Sequence, residues 1–366
     1  ICARAPIYHT DEEAEFWKKA IDLKEEYFVK NAKTQETLLP DTTFYNPADA
    51  PEKRQSRYLD ITNPAAVSWW FRDVWGRVKE TMGIDGCKID FCEQFPEHIL
   101  LSFYDGRDTN GAHHWYPVLY NSLMYRYYQS NHLDGGMCFS RGGGIGAQRY
   151  PLLWLGDQLR EWKFMSAILT GALSCGLSGI PFVSWDLAAY LPSNDPQNNN
   201  EADIFQRGLE VACFSTSMQT HGKVTRPYDF AEPVKDVYRK YSKIHQILRP
   251  YLKEQAEKSC QSGMPLMRHL LLHDFSDPVN YTIEDEYLLG EALLIAPVLN
   301  NQNKRDIYLP QGKWTSLDTG EEYDGKQWLS SVSVPIDEIP IFIKQGHSSL
   351  VLDNIVAKIR KLTKGI

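Results

Sequence analysis

The feature that most constrains this chain is a change of grammar along its length. From residue 1 to about residue 260, short apolar runs alternate with longer amphipathic ones. From about Glu284 onward the runs are short and separated by Gly, Pro, Asn and Asp, with no helical spacing between them. Alternating strand and helix signals call for a parallel sheet or barrel, because parallel neighbours need a long crossover connection. Strand signals fall at 1–7, 84–91, 137–141, 150–156, 180–185 and 211–217. Read as an eight-stranded barrel, that set is two strands short, as expected of a chain whose beginning lies inside a longer protein. The later strands, Leu293–Leu299, Asp306–Leu309, Lys313–Leu317, Val332–Ile336 and Ile339–Lys344, predict a small antiparallel β-sandwich. The expected division is therefore 1–283, 284–351, and the start of a further segment over 352–366.

Between the strands the helix signals are specific. A charged helix is expected over Glu12–Val29. Asn63-Pro64 supplies an N-cap followed by Pro at the first helical position, opening an aromatic helix through Met82. Further helices are expected over 114–130, 160–176 and Val234–Lys258. The uncharged run Phe164–Trp185 contains Gly171, Gly176, Gly179 and Pro181, so it reads as a buried helix, a turn and a strand rather than a membrane span.

Charge and cysteine content exclude several classes. A net charge of −8 speaks against nucleic acid as a partner. No block of like charge suggests a membrane surface. The seven cysteines include no CxxC pair and sit mostly in apolar runs, which fits reduced thiols and a cytoplasmic setting. No oligomeric state follows from the sequence; a homo-oligomer is compatible with it. The sequon Asn280-Tyr-Thr282 decides nothing by itself.

The chemistry is carried by strand ends. In Gly83–Glu93, apolar Ile84 and Ile89 flank a turn at Asp85-Gly86, and the run then delivers Lys88, Asp90 and Glu93. Barrel enzymes place their chemistry at the C-terminal ends of strands. No HExxH or paired CxxC supports a metal, and no cofactor is called for. His269 and His273 are four apart in a run (Met267–Phe275) that reads as a strand, where ordinary structural roles are expected of them. Gly176-Leu-Ser-Gly179 is not the G-x-S-x-G of a serine hydrolase, and Gly142–Gly144 lacks the Gly-Lys-Ser/Thr of a phosphate loop. What remains is Asp90, Asp157 and Asp186 with Lys88, Arg141 and His221, in a chain with 10 Trp and 20 Tyr. Paired carboxylates among aromatics, without a metal, are what glycosidic-bond cleavage requires. The plainer reading is a set of salt bridges among strand ends.

Several ordered motifs carry a family resemblance. Lys88-Ile-Asp-Phe-Cys-Glu93 resembles the K-T-D-F-G-E nucleophile segment of glycoside hydrolase family 31, the α-glucosidase and α-xylosidase family, in its xylosidase-like branch. Phe139-Ser-Arg141, Gly146–Pro151 and Trp154-Leu-Gly-Asp157 resemble the stretch ending in that family's general acid. Gly176–Gly179, Ser184-Trp-Asp186 and Thr220-His-Gly222 continue the match in order. The resemblance implies a (β/α)8 TIM-type barrel lacking its first two strands, followed by the proximal C-terminal sandwich. It implies a retaining exo-α-glycosidase acting on an α-linked oligosaccharide or glycoside, with Asp90 as nucleophile and Asp157 as acid/base. Arg141, Trp154, Asp186 and His221 would bind the sugar in the −1 subsite, and Lys88 would approach the same sugar or orient Asp90. A transglycosylase shares these residues, and a carbohydrate-binding protein without turnover is the reading from another class. Departures centre on the same subsite. Trp185-Asp-Leu-Ala-Ala-Tyr190 replaces His-Asp-Ile-Gly-Gly-Phe, Arg4 stands where xylosidase-like relatives have Trp, and Cys92 replaces Gly. With Lys88 and Arg141, Arg4 would make a cationic pocket suited to a carboxylate or sulfonate on the sugar. The plainer alternative pairs Arg4 with Asp60.

Overall fold

The computed structural model describes residues 2–3, 24–38, 57–91, 93, 95–96, 98–107, 109–131, 136–195, 200–221, 226–347 and 349–363. Two compact units divide the chain, 1–153 and 154–366.

In the first unit, strands Gly86–Ile89 and Met137–Ser140 lie side by side and parallel, and Leu152 and Leu153 pair in parallel with Phe139 and Ser140. The helix Ala112–Asn131 is part of the crossover between the first two. Gly86 pairs with Met137, and a Cβ on Gly86 would meet the Met137 carbonyl oxygen at 2.3 Å. Only glycine therefore lets the sheet start where the preceding turn ends. The helix opened by Asn63-Pro64 forms as expected: Asn63 Oδ1 accepts from the Ala65 and Ala66 N–H groups. It runs on through a π-helical stretch, Trp70–Trp75, to Met82, and Gly83 ends it with φ 63°. The core here is aromatic. Tyr58 stacks on Phe95 with ring centres 4.3 Å apart, and buried Tyr116 donates its hydroxyl to Leu59 O at 2.7 Å. Such pairs add about 0.5–1.5 kcal/mol each beyond the area they bury.

The second unit has two cores. One is built on the helices Trp162–Leu177, Glu201–Cys213 and Glu232–Ser262. The uncharged run resolves as expected into helix, Gly179 turn (φ 82°) and the strand Val183–Ser184. No described helix is long and apolar enough to cross a membrane. The other core lies in an antiparallel arrangement. Its six-stranded sheet runs Glu322–Asp324, Lys313–Ser316, Ile341–Lys344, Leu293–Ile295, Tyr287–Leu289, Met267–His269. Beside it Lys304–Leu309 pairs with Gln327–Ser333 through an irregularity between Arg305 and Ile307.

Some expectations are corrected. The expected strand 211–217 is the end of the helix Glu201–Cys213 followed by a turn. Every residue from Ile204 to Cys213 is buried, and its last turn, Val211–Cys213, is an apolar run too short for periodicity to separate helix from strand. The run Met267–Phe275 is a strand only to His269; Leu270–Leu272 is a 3-10 turn. His269 Nδ1 caps that turn by accepting from Leu271 N–H, and His273 Nε2 meets Gln311 O at 2.8 Å. Residues 24–29, expected to close a charged helix, form a short 3-10 turn and a bridge instead, and the rest of that helix lies outside the described residues. Of the first expected strand only Cys2–Ala3 is described, and it pairs antiparallel with Arg57–Tyr58. The sequon is closed: Asn280 is fully buried and its amide donates to Asp274 O. Cys87, Cys138, Cys175, Cys213 and Cys260 are free thiols.

One buried group sets a pH response. Glu286 is fully buried, holds the Tyr308 N–H at 2.9 Å and lies 3.2 Å from Arg305 Nη2. Burial outweighs the Arg305 charge and pushes this carboxyl up to about 8. A value raised in the folded state contributes stability below its ordinary 4.5 that is lost as pH rises through about 8. Unfolding free energy should therefore fall across that window and flatten in Glu286→Gln. Equal slopes in the two proteins would contradict this.

Candidate active site

In the first unit the strand Gly86–Ile89 ends in Asp90, and its neighbour Met137–Ser140 ends in Arg141. The parallel register sets Ile89 against Ser140, so the two ends fall side by side. Arg141 Nη1 lies 2.9 Å from Asp90 Oδ1, and Arg141 Nε donates to Glu93 Oε1 at 2.7 Å. Asp90 Oδ1 also accepts from the Phe91 N–H at 2.9 Å. That contact needs an unusual backbone: Phe91 has φ 62°, a left-handed conformation that costs a non-glycine residue of order 1 kcal/mol or more. The Arg141 guanidinium lies 4.6 Å from the Phe91 ring centre, so the cation that holds Asp90 also covers the strained residue. Lys88, two residues before Asp90, shares its side of the strand and is partly buried.

In the second unit Asp186 is the hub. Fully buried, it accepts from Trp154 Nε1 at 3.0 Å and from Gln219 Nε2 at 3.3 Å. Its backbone bridges Gln219, and Leu187 N–H donates to Gln219 O. His221 stacks along Trp154, ring centres 6.1 Å apart, and meets the edge of Tyr190 at 4.7 Å. Asp157 follows Trp154 and Gly156 as an exposed residue. Trp185 is buried in the apolar core, on the alternate side of the chain from Ser184 and Asp186. The turn after Asp186 is strained: Ala188 has φ 58° and Ala189 φ 127°, both buried. These are the positions at which the sequence departs from Gly-Gly. Gly208 packs beneath, where a Cβ would meet the Ala188 Cβ at 2.7 Å. Ala189→Gly is expected to raise stability by about 1 kcal/mol, read as a higher Tm. A lowered Tm would show that the alanine conformation is not strained.

Arg4 lies outside the described residues. Asp60, its suggested partner, is buried with Oδ1 accepting from Thr62 Oγ1 and N–H and Oδ2 from Tyr104 N–H. Among the described residues no cluster of His, Cys, Asp and Glu is arranged to hold a metal. Sequence reasoning assigned no role to Glu93, Gln219 or Tyr190. The one available signal was spacing, since Gln219 stands two residues before His221, the strand repeat that puts side chains on one face.

The family model for the glycosyl hydrolase family 31 TIM-barrel domain matches residues 4–255, and that for the family's C-terminal domain matches 263–347. The chain belongs to glycosyl hydrolase family 31, whose fold class is the one expected above. It is 31% identical over 301 residues to an alpha-xylosidase of Emericella nidulans, covering 79% of this chain and 37% of that protein. It is 30% identical over 306 residues to an isomaltosyltransferase of Sporosarcina globispora, covering 80% of this chain and 27% of that one. Among solved structures, a sulfoquinovosidase from E. rectale in complex with an aza-sugar inhibitor superposes with a TM-score of 0.81 at 31% identity. That match covers 95% of this chain and 50% of the other. The chain thus spans half or less of the length of these relatives.

Proposed function

We propose that the complete protein is a retaining, exo-acting α-glycosidase in which Asp90 is the nucleophile and Asp157 the general acid/base. The observation that carries this is the strand-end carboxylate Asp90, fixed at Oδ1 by Arg141 and by the N–H of the strained Phe91. A carboxylate oxygen of Asp90 attacks the anomeric carbon while Asp157 gives its proton to the glycosidic oxygen, and the aglycone leaves as an alcohol. Asp157, now the base, takes a proton from water, whose oxygen displaces Asp90 and restores the α-configuration. Asp186, Trp154 and His221 would hold the −1 sugar, with Lys88, Arg141 and Arg4 around it, and Trp185 would shape the site only from within the core behind Asp186. The barrel function would occupy 1–283 and the sandwich 284–351. NMR of the first-formed sugar should show the α-anomer; the β-anomer would overturn retention.

A second reading concerns the sugar. The relatives include a sulfoquinovosidase, and Arg4, Lys88 and Arg141 would together supply cations for an anionic substituent. Kinetics on matched neutral and anionic aryl α-glycosides, with wild type and Arg4→Met, separate the cases. Preference for the neutral sugar, unchanged in Arg4→Met, would end this reading. The isomaltosyltransferase relative supports transfer to a sugar acceptor as the variant of the same chemistry. Product analysis with and without added acceptor sugar distinguishes it from hydrolysis.

A further inference from the structure

We propose that Glu93 is a positioning residue for the nucleophile, acting through Arg141; this rests on the retaining reading above. Arginine offers carboxylates a planar fork and pairs best through two parallel N–H bonds. Here one edge of the fork is turned elsewhere: Nε donates to Glu93 Oε1 at 2.7 Å, while Nη1 reaches Asp90 Oδ1 at 2.9 Å. The guanidinium therefore bridges two carboxylates three residues apart. Its charge is shared between them, and it touches Asp90 as a fixed strut. A nucleophilic carboxylate gains from this arrangement. An undivided arginine charge would draw electron density from the attacking group and hold it in the ground state more tightly than in the transition state.

The surroundings are shaped for the bridge. Gly142 follows Arg141, and a Cβ there would lie 3.3 Å from Glu93 Oε2, 3.2 Å from Phe91 O and 3.0 Å from Pro117 Cβ. A side chain at 142 would press on the Glu93 carboxylate, so the glycine leaves its place open. On the other side the Phe91 ring lies against the guanidinium. Arg141 is thus confined by Glu93, Phe91 and Asp90, of which only Asp90 would react with substrate. The Glu93 side chain is 33% exposed, so its isosteric amide can be tolerated without a packing defect.

The test uses the complete protein and an unactivated α-glycoside. Glu93→Gln is expected to lower kcat about 10–100-fold, the usual worth of a charge-assisted bond, with KM little changed. Glu93→Asp, which keeps the charge on a shorter arm, should recover part of the loss and provides a second variant if the amide folds poorly. An activated aryl substrate keeps residual activity measurable in the Arg141→Met background, where Glu93→Gln should add no further loss. An unchanged kcat, a loss carried wholly by KM, or an equal additional loss without Arg141 would each overturn the proposal. Labelling with a mechanism-based glycosyl fluoride separates the two levels. Wild type labelled on Asp90 with an unaffected Glu93→Gln sinks only the Glu93 assignment. Wild type that turns over but is labelled elsewhere sinks the nucleophile assignment and the Glu93 role with it.

Discussion

Asp157→Ala should slow hydrolysis of α-glycosides with poor alcohol leaving groups by about 10²–10⁴-fold, the usual range for a positioned general acid. Activated aryl glycosides should suffer far less in the first step, because a phenolate with a low pKa departs without protonation. Their second step still needs a base, so the glycosyl-enzyme should accumulate, and azide, which needs none, should restore turnover and yield the α-glycosyl azide. Two features of the chain make this the expected outcome. Asp157 is an exposed residue just beyond the strand that carries Trp154, and Trp154 is bonded to the buried Asp186. Equal losses on both substrate types, with no azide effect, would mean that Asp157 only shapes the chain after the strand.

Arg207→Met should cost about 3–5 kcal/mol of stability, the range for breaking a buried pair by removing one partner. Arg207 and Glu210 are both fully buried one helical turn apart, 3.0 Å between Nη1 and Oε2. Arg207 also donates to Glu338 O and Val334 O, each at 2.8 Å, and to Asn303 Oδ1 at 3.2 Å. One side chain therefore ties the helix Glu201–Cys213 to the segment that follows the strand Gln327–Ser333. Without it Glu210, whose carboxyl burial already pushes well above its ordinary range, would lose its counterion in a site closed to water. Replacing both residues by apolar ones of similar size should recover part of the loss. Denaturant unfolding measures both, and a loss under about 1 kcal/mol for Arg207→Met would show that the pair is dispensable.

How much of this was legible depends on whether the cause was local. Asn63-Pro64 encodes its own cap, and the helix starts there. The glycines of the uncharged run encode a break, and the chain turns at Gly179. The segment 211–217 was not legible, because Val211–Cys213 is only the last, wholly apolar turn of its helix and three apolar residues are too few to reveal a period. The run Met267–Phe275 was legible as a strand at its start but not at its end. Three residues pair with Tyr287–Leu289 before a 3-10 turn takes over at Leu270–Leu272. In the candidate site, motif order marked Asp90, Arg141, Trp154 and Asp186 as residues of interest. Their partners were invisible, since Glu93 meets Arg141 across 48 residues and Gln219 meets Asp186 across 33. Phe91 carried no signal either: its left-handed backbone belongs to a position where composition suggests nothing unusual.

The proposed mechanism requires a covalent bond between Asp90 and the sugar. Incubation of the complete protein with a 5-fluoro-α-glycosyl fluoride, which slows the second step more than the first, should stop turnover and add one glycosyl unit per active site. Peptide mass spectrometry should place that unit on Asp90, and Asp90→Ala should take up none. A label on any other carboxylate, or steady hydrolysis by Asp90→Ala, would rule out Asp90 as the nucleophile.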